Sequence, residues 1–261
     1  PVDLAVIGGG IAGLWILDAA VRAGRNAILV EAFELGHGQS VAAQGIIHGG
    51  LKYTLRERDL DAAGAISDMP GFWRDRHDSG DGDGPDLRAA RMSTPCTWMW
   101  RTDSLASRLG MLGAKAALRT RPETVPEADR PALLRAASGA VLRVAEPVFD
   151  TRSVLGAIAD AHPGRILGVD GPEGIEFASA GGRVERMILR SGGGEVAVRP
   201  AAVVLAAGVG NEGLLARLGL DAEVAQRRPL HMALARARDL PEFHGHCVDG
   251  NKTRVTITSA R

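Results

Sequence analysis

The chain has 261 residues, 45% of them hydrophobic and 24% charged, which is enough apolar side chain to bury a core and too much for disorder. Its 31 basic and 31 acidic residues leave no net charge, which argues against nucleic acid or an anionic membrane surface as a partner. Cys96 and Cys247 form neither a CxxC pair nor a metal-ligand cluster, so a reducing cytoplasm is the expected setting.

The apolar run from Leu4 to Leu17 lacks a basic lead and is broken by Gly8, Gly9, Gly10 and Gly13, so it reads as folded chain. No other stretch approaches the ~20 apolar residues of a transmembrane segment. Asp3 to Ile7 predicts a buried strand, Ile11 to Ala23 a helix stopped by Gly24, and Asn26 to Glu31 a second strand. Together they make a βαβ unit of about 30 residues. From Phe33 to Tyr53 glycines and the polar Gln39, Ser40, Gln44 and His48 interrupt every period, which predicts a loop able to wrap a ligand. Arg58 to Trp73 reads as helix, and the Gly/Asp-rich stretch Asp78 to Pro85 as an exposed connector.

Beyond the connector, Leu87 to Trp100 holds short strand-like runs that place Trp98 and Trp100 on one side, and Ser104 to Leu118 reads as helix. Val141 to Val144 leads through Glu146-Pro147 to a helix over Thr151 to Ala161 and a strand over Arg165 to Val169. Gly174 to Phe177, Val184 to Arg190 and Glu195 to Arg199 predict a meander on glycine turns, and Ala202 to Ala207 a buried strand ending at Gly208. From Pro229 the pattern returns to strands, the last at Val255 to Thr258.

The chemistry starts at Gly8-Gly9-Gly10-Ile11-Ala12-Gly13, a GxGxxG set between a strand and a helix, with Glu31 ending the second strand 18 positions after Gly13. Gly8 permits the tight turn, Gly10 lets a pyrophosphate approach the backbone, and Gly13 allows close helix packing. The helix start offers amide donors to phosphate, and Glu31 can accept from ribose hydroxyls. This combination points to a dinucleotide without choosing FAD over NAD.

The rest of the chain resembles the D-amino-acid oxidase and glycerol-3-phosphate dehydrogenase group of FAD-dependent oxidoreductases. Three segments carry the resemblance: the fingerprint with Glu31 and Ala32, the loop Ala43-Gln44-Gly45-Ile46-Ile47-His48-Gly49-Gly50-Leu51-Lys52-Tyr53, and the strand end Val203-Val204-Leu205-Ala206-Ala207-Gly208. The resemblance implies that Gln44, Gly45, Ile46, Ile47, His48 and Gly49 run beneath flavin and pyrophosphate. It implies also that Ala206, Ala207 and Gly208 return to the dinucleotide and that Val169 lies near the adenine. The fold it implies is α/β: a Rossmann-like FAD/NAD(P)-binding domain from residues 1–82 and 141–226, with a second, mainly β substrate domain from 83–140 and 227–261. In that group a further C-terminal segment completes the substrate sheet and reaches the flavin. A truncated chain, or a partner chain supplying that segment, is therefore the expectation.

Oxidation of a C–H bond by flavin needs alignment and a place for the departing proton. His48, His231 and His246 are the candidate catalytic residues, with an orienting hydrogen bond as the competing role for His48 and ordinary sheet or surface positions for the other two. Lys52, Arg227 and Arg228 are candidate partners for a substrate carboxylate or phosphate, with solvated arginines as the default reading. Trp98 and Trp100 either line a pocket or pack one sheet face. His37 and His77 lack partners at metal spacing, so no metal site is predicted.

Three functions remain on these residues. The first is a flavoenzyme taking a hydride from a small hydroxy acid, polyol phosphate or amino acid, with an electron acceptor that the sequence does not name; the HGGL-Tyr pattern of the loop leans toward the hydroxy-acid and glycerol-3-phosphate branch. The second is an FAD-binding fragment or subunit, incompetent until a partner segment completes it. The third, an NAD-binding protein, leaves the His48 loop and the Gly208 strand end unexplained.

Overall fold

The computed structural model describes residues 1–50, 64–102, 122–220, 231–249 and 252–259. The chain divides into two compact units: Pro1–Ala43, Ser79–Ala90 and Thr151–Met232 form the first, and Gln44–Asp78, Arg91–Asp150 and Ala233–Arg261 the second.

In the first unit the strand Val2–Ile7 lies between Ala27–Glu31 and Pro200–Leu205, and Ile166–Gly168 extends the sheet beyond Ala27–Glu31, every pair being parallel. Parallel neighbours require crossovers, and the helix Ile11–Arg22 is the first of them. Leu14 and Leu17, about one turn apart, are fully buried, each worth roughly 1.5–3 kcal/mol. Asp18 is buried beside them and accepts from Arg22 Nε at 2.7 Å, with His162 Nε2 3.2 Å away. The helix stops where Gly24 takes φ +73° and donates its amide to the Val21 carbonyl. On the opposite face of the sheet, Ala5 and Ile7 pack with Ile175, Met187, Leu189 and Val198 of an antiparallel meander, Ile175–Ala180, Arg183–Ser191 and Gly194–Val198. Val6, which points the other way, is also completely buried. A parallel sheet covered on both faces carries the near-continuous apolar runs that the sequence displays.

The second unit holds a mixed five-stranded sheet in the order Lys252–Thr258, His244–Asp249, Thr97–Arg101, Val141–Val144, Glu123–Thr124. Its single parallel pair joins His244–Asp249 to Thr97–Arg101, with Gly245 opposite Trp98. A side chain at 245 would run into the Trp98 carbonyl, so the close approach requires glycine there. Trp98 and Trp100 both pack on the sheet-face cluster of Leu134, Val141 and Phe243, and Trp100 also lines a cavity. The apolar run at Val141–Val144, expected to open the return to the dinucleotide domain, pairs with Thr97–Arg101 instead, and the chain rejoins the first unit at Thr151. A four-residue segment with three apolar side chains suits either sheet, so pairing alone decides its place.

The helix Met69–Asp78 extends beyond the expected end at Trp73. Residues 58–63 of the expected helix, the helix expected over 104–118, and Lys52, Arg227 and Arg228 lie outside the described residues. Among the described residues, no helix is long and apolar enough to cross a membrane.

Candidate functional site

The fingerprint turn is locked by its glycines. Gly8 takes φ +114° and donates its amide to the Val30 carbonyl at 2.8 Å, and a Cβ placed on it would lie 2.6 Å from the carbonyl of Ala206. A Cβ on Gly13 would collide with the Gly8 carbonyl oxygen. Ala206 is itself held by its amide on the Ile7 carbonyl, and Ala207 donates to Asn211 Oδ1 at 2.8 Å. The strand end Ala206-Ala207-Gly208 is thus fixed directly against the glycine turn. Gly10 differs: a Cβ there would meet only Ser40 Oγ, at 3.0 Å.

Two acceptors close the turn. The Glu31 carboxylate accepts from the Gly9 amide through Oε2 and from the Phe33 amide, 2.8 Å away, through Oε1. Each carboxylate oxygen retains a further lone pair, so acceptance from ribose hydroxyls is compatible with this arrangement. Ser40 Oγ accepts from the Ile11 amide at 2.9 Å, satisfying one of the four amides that a helix start leaves without intrahelical partners. Its own O–H remains a donor for a phosphate oxygen. Sequence reading treats Ser40 only as a break in periodicity, because a contact across 29 positions has no local signal. Ser40→Ala is expected to cost about 1 kcal/mol. That is a fall of about 2–4 °C in Tm for a chain of this size, read by thermal melting, together with weaker FAD retention.

Val169 performs a structural task. Its side chain belongs to the core with Ile7, Val30 and Ile175, its amide donates to the Glu31 carbonyl, and its carbonyl accepts from Gly171. Ala32 packs against the same core, while Ile11 and Ala12 form the first turn of the helix.

The second unit gathers the other expected group. The Phe149 amide donates to the Gly45 carbonyl, Ile47 donates to the Pro147 carbonyl, and Ile46 bridges Val148, so residues 45–49 run antiparallel to 146–149. Gly45 takes φ +69° where any Cβ would strike the Phe149 carbonyl oxygen. This ladder delivers Glu146 to the loop: Oε1 accepts from the Gly49 amide at 2.8 Å, and Oε2 lies 3.1 Å from His48 Nδ1. The Glu146 side chain is 3% exposed and that of His48 24%. His246, buried on the strand His244–Asp249, stacks obliquely on His48 with ring centroids 5.3 Å apart and has Nδ1 2.8 Å from Thr256 Oγ1. His231 stands exposed outside regular structure and is not part of this cluster. Gln44 is exposed at the start of the loop.

His48, Glu146 and His246 present nitrogen and oxygen atoms within 4.8 Å of one another, a grouping that sequence spacing does not reveal. Ligands about 2.0–2.1 Å from one tetrahedral ion lie roughly 3.3 Å apart, so this is a looser arrangement, occupied by the hydrogen bonds above. A separate cavity of about 480 Å3 in the same unit is lined by Trp100, Leu134, Phe243, Cys247 and Ile257 among others, and contains none of these histidines. Burial, then the neighbouring Asp249, raises the Cys247 thiol above its ordinary value. It therefore stays protonated near neutrality and is a poor nucleophile.

The family model for FAD dependent oxidoreductases matches residues 3–259. A probable FAD-dependent oxidoreductase of Pseudomonas aeruginosa is 40% identical over 260 residues, covering 98% of this chain and 64% of that protein. The crystal structure of the FAD dependent oxidoreductase from that organism aligns with a TM-score of 0.76 at 35% identity, over 98% of this chain and 61% of that one. Glycine oxidase from Geobacillus kaustophilus shares the fold, with a TM-score of 0.58 at 18% identity over 84% of this chain and 59% of its own. The chain thus spans less than two thirds of the length of these relatives. The glycine cradle at Gly8, Gly10 and Gly13, the helix start at Ile11 and the carboxylate of Glu31 fit a dinucleotide, and the chain belongs to the DAO family of FAD dependent oxidoreductases.

Proposed function

We propose that the chain holds FAD in its first unit and oxidises a small molecule at a carbon bearing oxygen or nitrogen. The observation that carries this reading is the glycine turn closed by Glu31 and Ser40 in a chain matched by the family model over residues 3–259. Gly8, Gly10, Ile11, Ala12 and Gly13 would hold the diphosphate, Glu31 and Ala32 the adenosine ribose, and Ala206 to Gly208 a further part of the dinucleotide. Bound FAD supplies the acceptor for a hydride leaving carbon. The proton leaving the substrate's oxygen or nitrogen needs a base, and His48 is the best placed of the three candidates because its ring is partly exposed and its other edge is fixed by Glu146.

The substrate class is a small hydroxy acid, polyol phosphate or amino acid, and the two free cysteines suit a reducing, cytoplasmic setting. The test is a spectrum followed by a titration. The purified chain, loaded with FAD, should show a flavin absorption band that bleaches anaerobically with one of lactate, glycerol 3-phosphate or an amino acid. A chain that takes up NAD and no flavin would overturn the cofactor assignment. FAD uptake without bleaching by any of the three classes would overturn the substrate assignment.

A further inference from the structure

Glu146 is a buried carboxylate on which two donors converge. The Gly49 amide is 2.8 Å from Oε1, His48 Nδ1 is 3.1 Å from Oε2, and the side chain is 3% exposed. Water cannot satisfy a group so enclosed, so these two contacts must, and an ionised carboxylate is acceptor only. The hydrogen between Glu146 and His48 therefore resides on the imidazole. In the neutral ring this leaves the lone pair on Nε2, the nitrogen turned away from the carboxylate. Two further contacts restrain the arrangement. The ladder of residues 45–49 against 146–149 fixes the backbone on both sides. The His246 ring, held by Thr256 Oγ1, packs against the His48 ring and limits its rotation.

We propose that Glu146 is a positioning residue: it holds His48 in the Nδ1–H tautomer with Nε2 as the proton acceptor, and it pins the His48-Gly49 backbone through the second oxygen. The proposal rests on the reading of His48 as the base. Bound FAD would supply the acceptor for the hydride from carbon, and His48 Nε2 would take the proton from the substrate's oxygen or nitrogen, so two electrons and two hydrogens would leave the substrate.

Glutamine at 146 separates the two parts of this role. Its oxygen can still accept from Gly49, but its amide nitrogen then faces His48 Nδ1 as a donor, which makes Nδ1 the acceptor and moves the ring hydrogen to Nε2. The experiment is long-range 1H–15N correlation NMR on the histidines of the full chain, on the basic side of the ring titration, for the parent protein and Glu146→Gln. His48→Asn supplies the assignment. The expected result is a pyrrole-type Nδ1 and a pyridine-type Nε2 in the parent, exchanged in Glu146→Gln, with melting and FAD content unchanged. Anaerobic flavin reduction by substrate should then slow by about 10²–10⁴-fold, the usual worth of a general base.

An Nε2–H tautomer in the parent protein overturns the inference about Glu146 whatever the enzymology. Exchanged tautomers with an unchanged reduction rate overturn His48 as the base, and with it the positioning role in catalysis. One equivalent of Co(II) giving d–d bands that vanish in His246→Ala would make the cluster a metal centre and overturn the proposal altogether.

Discussion

Gly8→Val is expected to strip the protein of much of its stability, whereas Gly10→Val is expected to leave it folded and unable to retain FAD. The two glycines stand two residues apart, and the structure separates what each is for. At Gly8 the backbone lies at φ +114° and a Cβ would sit 2.6 Å from the main-chain carbonyl of Ala206, a residue whose amide donates to the Ile7 carbonyl. An L-residue there costs about 1–3 kcal/mol in backbone strain. Forcing the neighbouring strand end aside adds about 1–3 kcal/mol more. Against a total stability of about 5–15 kcal/mol, the Tm should fall by roughly 4–24 °C. At Gly10 an added Cβ meets only the Ser40 hydroxyl, and displacing that cap costs about 1 kcal/mol. What valine occupies there is the approach to the helix start where the diphosphate must lie. FAD affinity should therefore drop about a hundredfold or more, or over 2.7 kcal/mol. Melting curves without FAD read the first effect, and flavin absorbance retained through gel filtration reads the second. Stoichiometric flavin in Gly10→Val would remove the fingerprint assignment.

The first unit was legible in the sequence because its signals are local. Apolar periodicity, Gly24 at a helix stop and the glycine turns of the meander all act within a few residues, and the strands, helix and hairpins appear where they are expected. The GxGxxG with Glu31 is likewise contained in one βαβ unit. Glu146 shows why the cluster in the second unit was not legible. It reaches His48 across 98 positions through an antiparallel pairing of two short irregular segments, and nothing in the dipeptide Glu146-Pro147 distinguishes a buried acceptor from a link between elements. The same holds for Val141–Val144, whose three apolar residues around Arg143 suit either sheet, and for His246, whose neighbour His48 is fixed by tertiary packing. Long-range pairing assembled this cluster, and residue spacing carries no trace of it.

Glu31→Ala is expected to weaken FAD binding by about 10- to 100-fold and to lower the stability of the apo protein as well. A residue that only touched ribose would weaken binding without lowering apo stability. Its carboxylate accepts from the Gly9 amide on one oxygen and the Phe33 amide on the other, so it joins the middle of the glycine turn to the loop after the second strand. Hydrogen bonds to a charged acceptor contribute about 1.5–3 kcal/mol each. In Glu31→Ala part of that loss is recovered by water, because Phe33 is exposed. The Gly9 amide is enclosed and recovers less, for a Cβ on Gly9 would already crowd Leu35 at 2.6 Å. Glu31→Gln should fall between the parent protein and Glu31→Ala. Its amide oxygen can keep one of the two contacts, while its NH2 group, a donor, faces the other backbone amide and opposes it. The ribose hydroxyls, acting as donors, lose the charge-assisted acceptor in both variants. Titration calorimetry with FAD and melting without it separate the contributions: binding should be tightest in the parent, weaker in Glu31→Gln and weakest in Glu31→Ala, and apo stability should follow the same order. If apo stability were unchanged in both variants while FAD affinity fell, the carboxylate would serve the ribose alone. If neither quantity moved, Glu31 would have no part in the cradle.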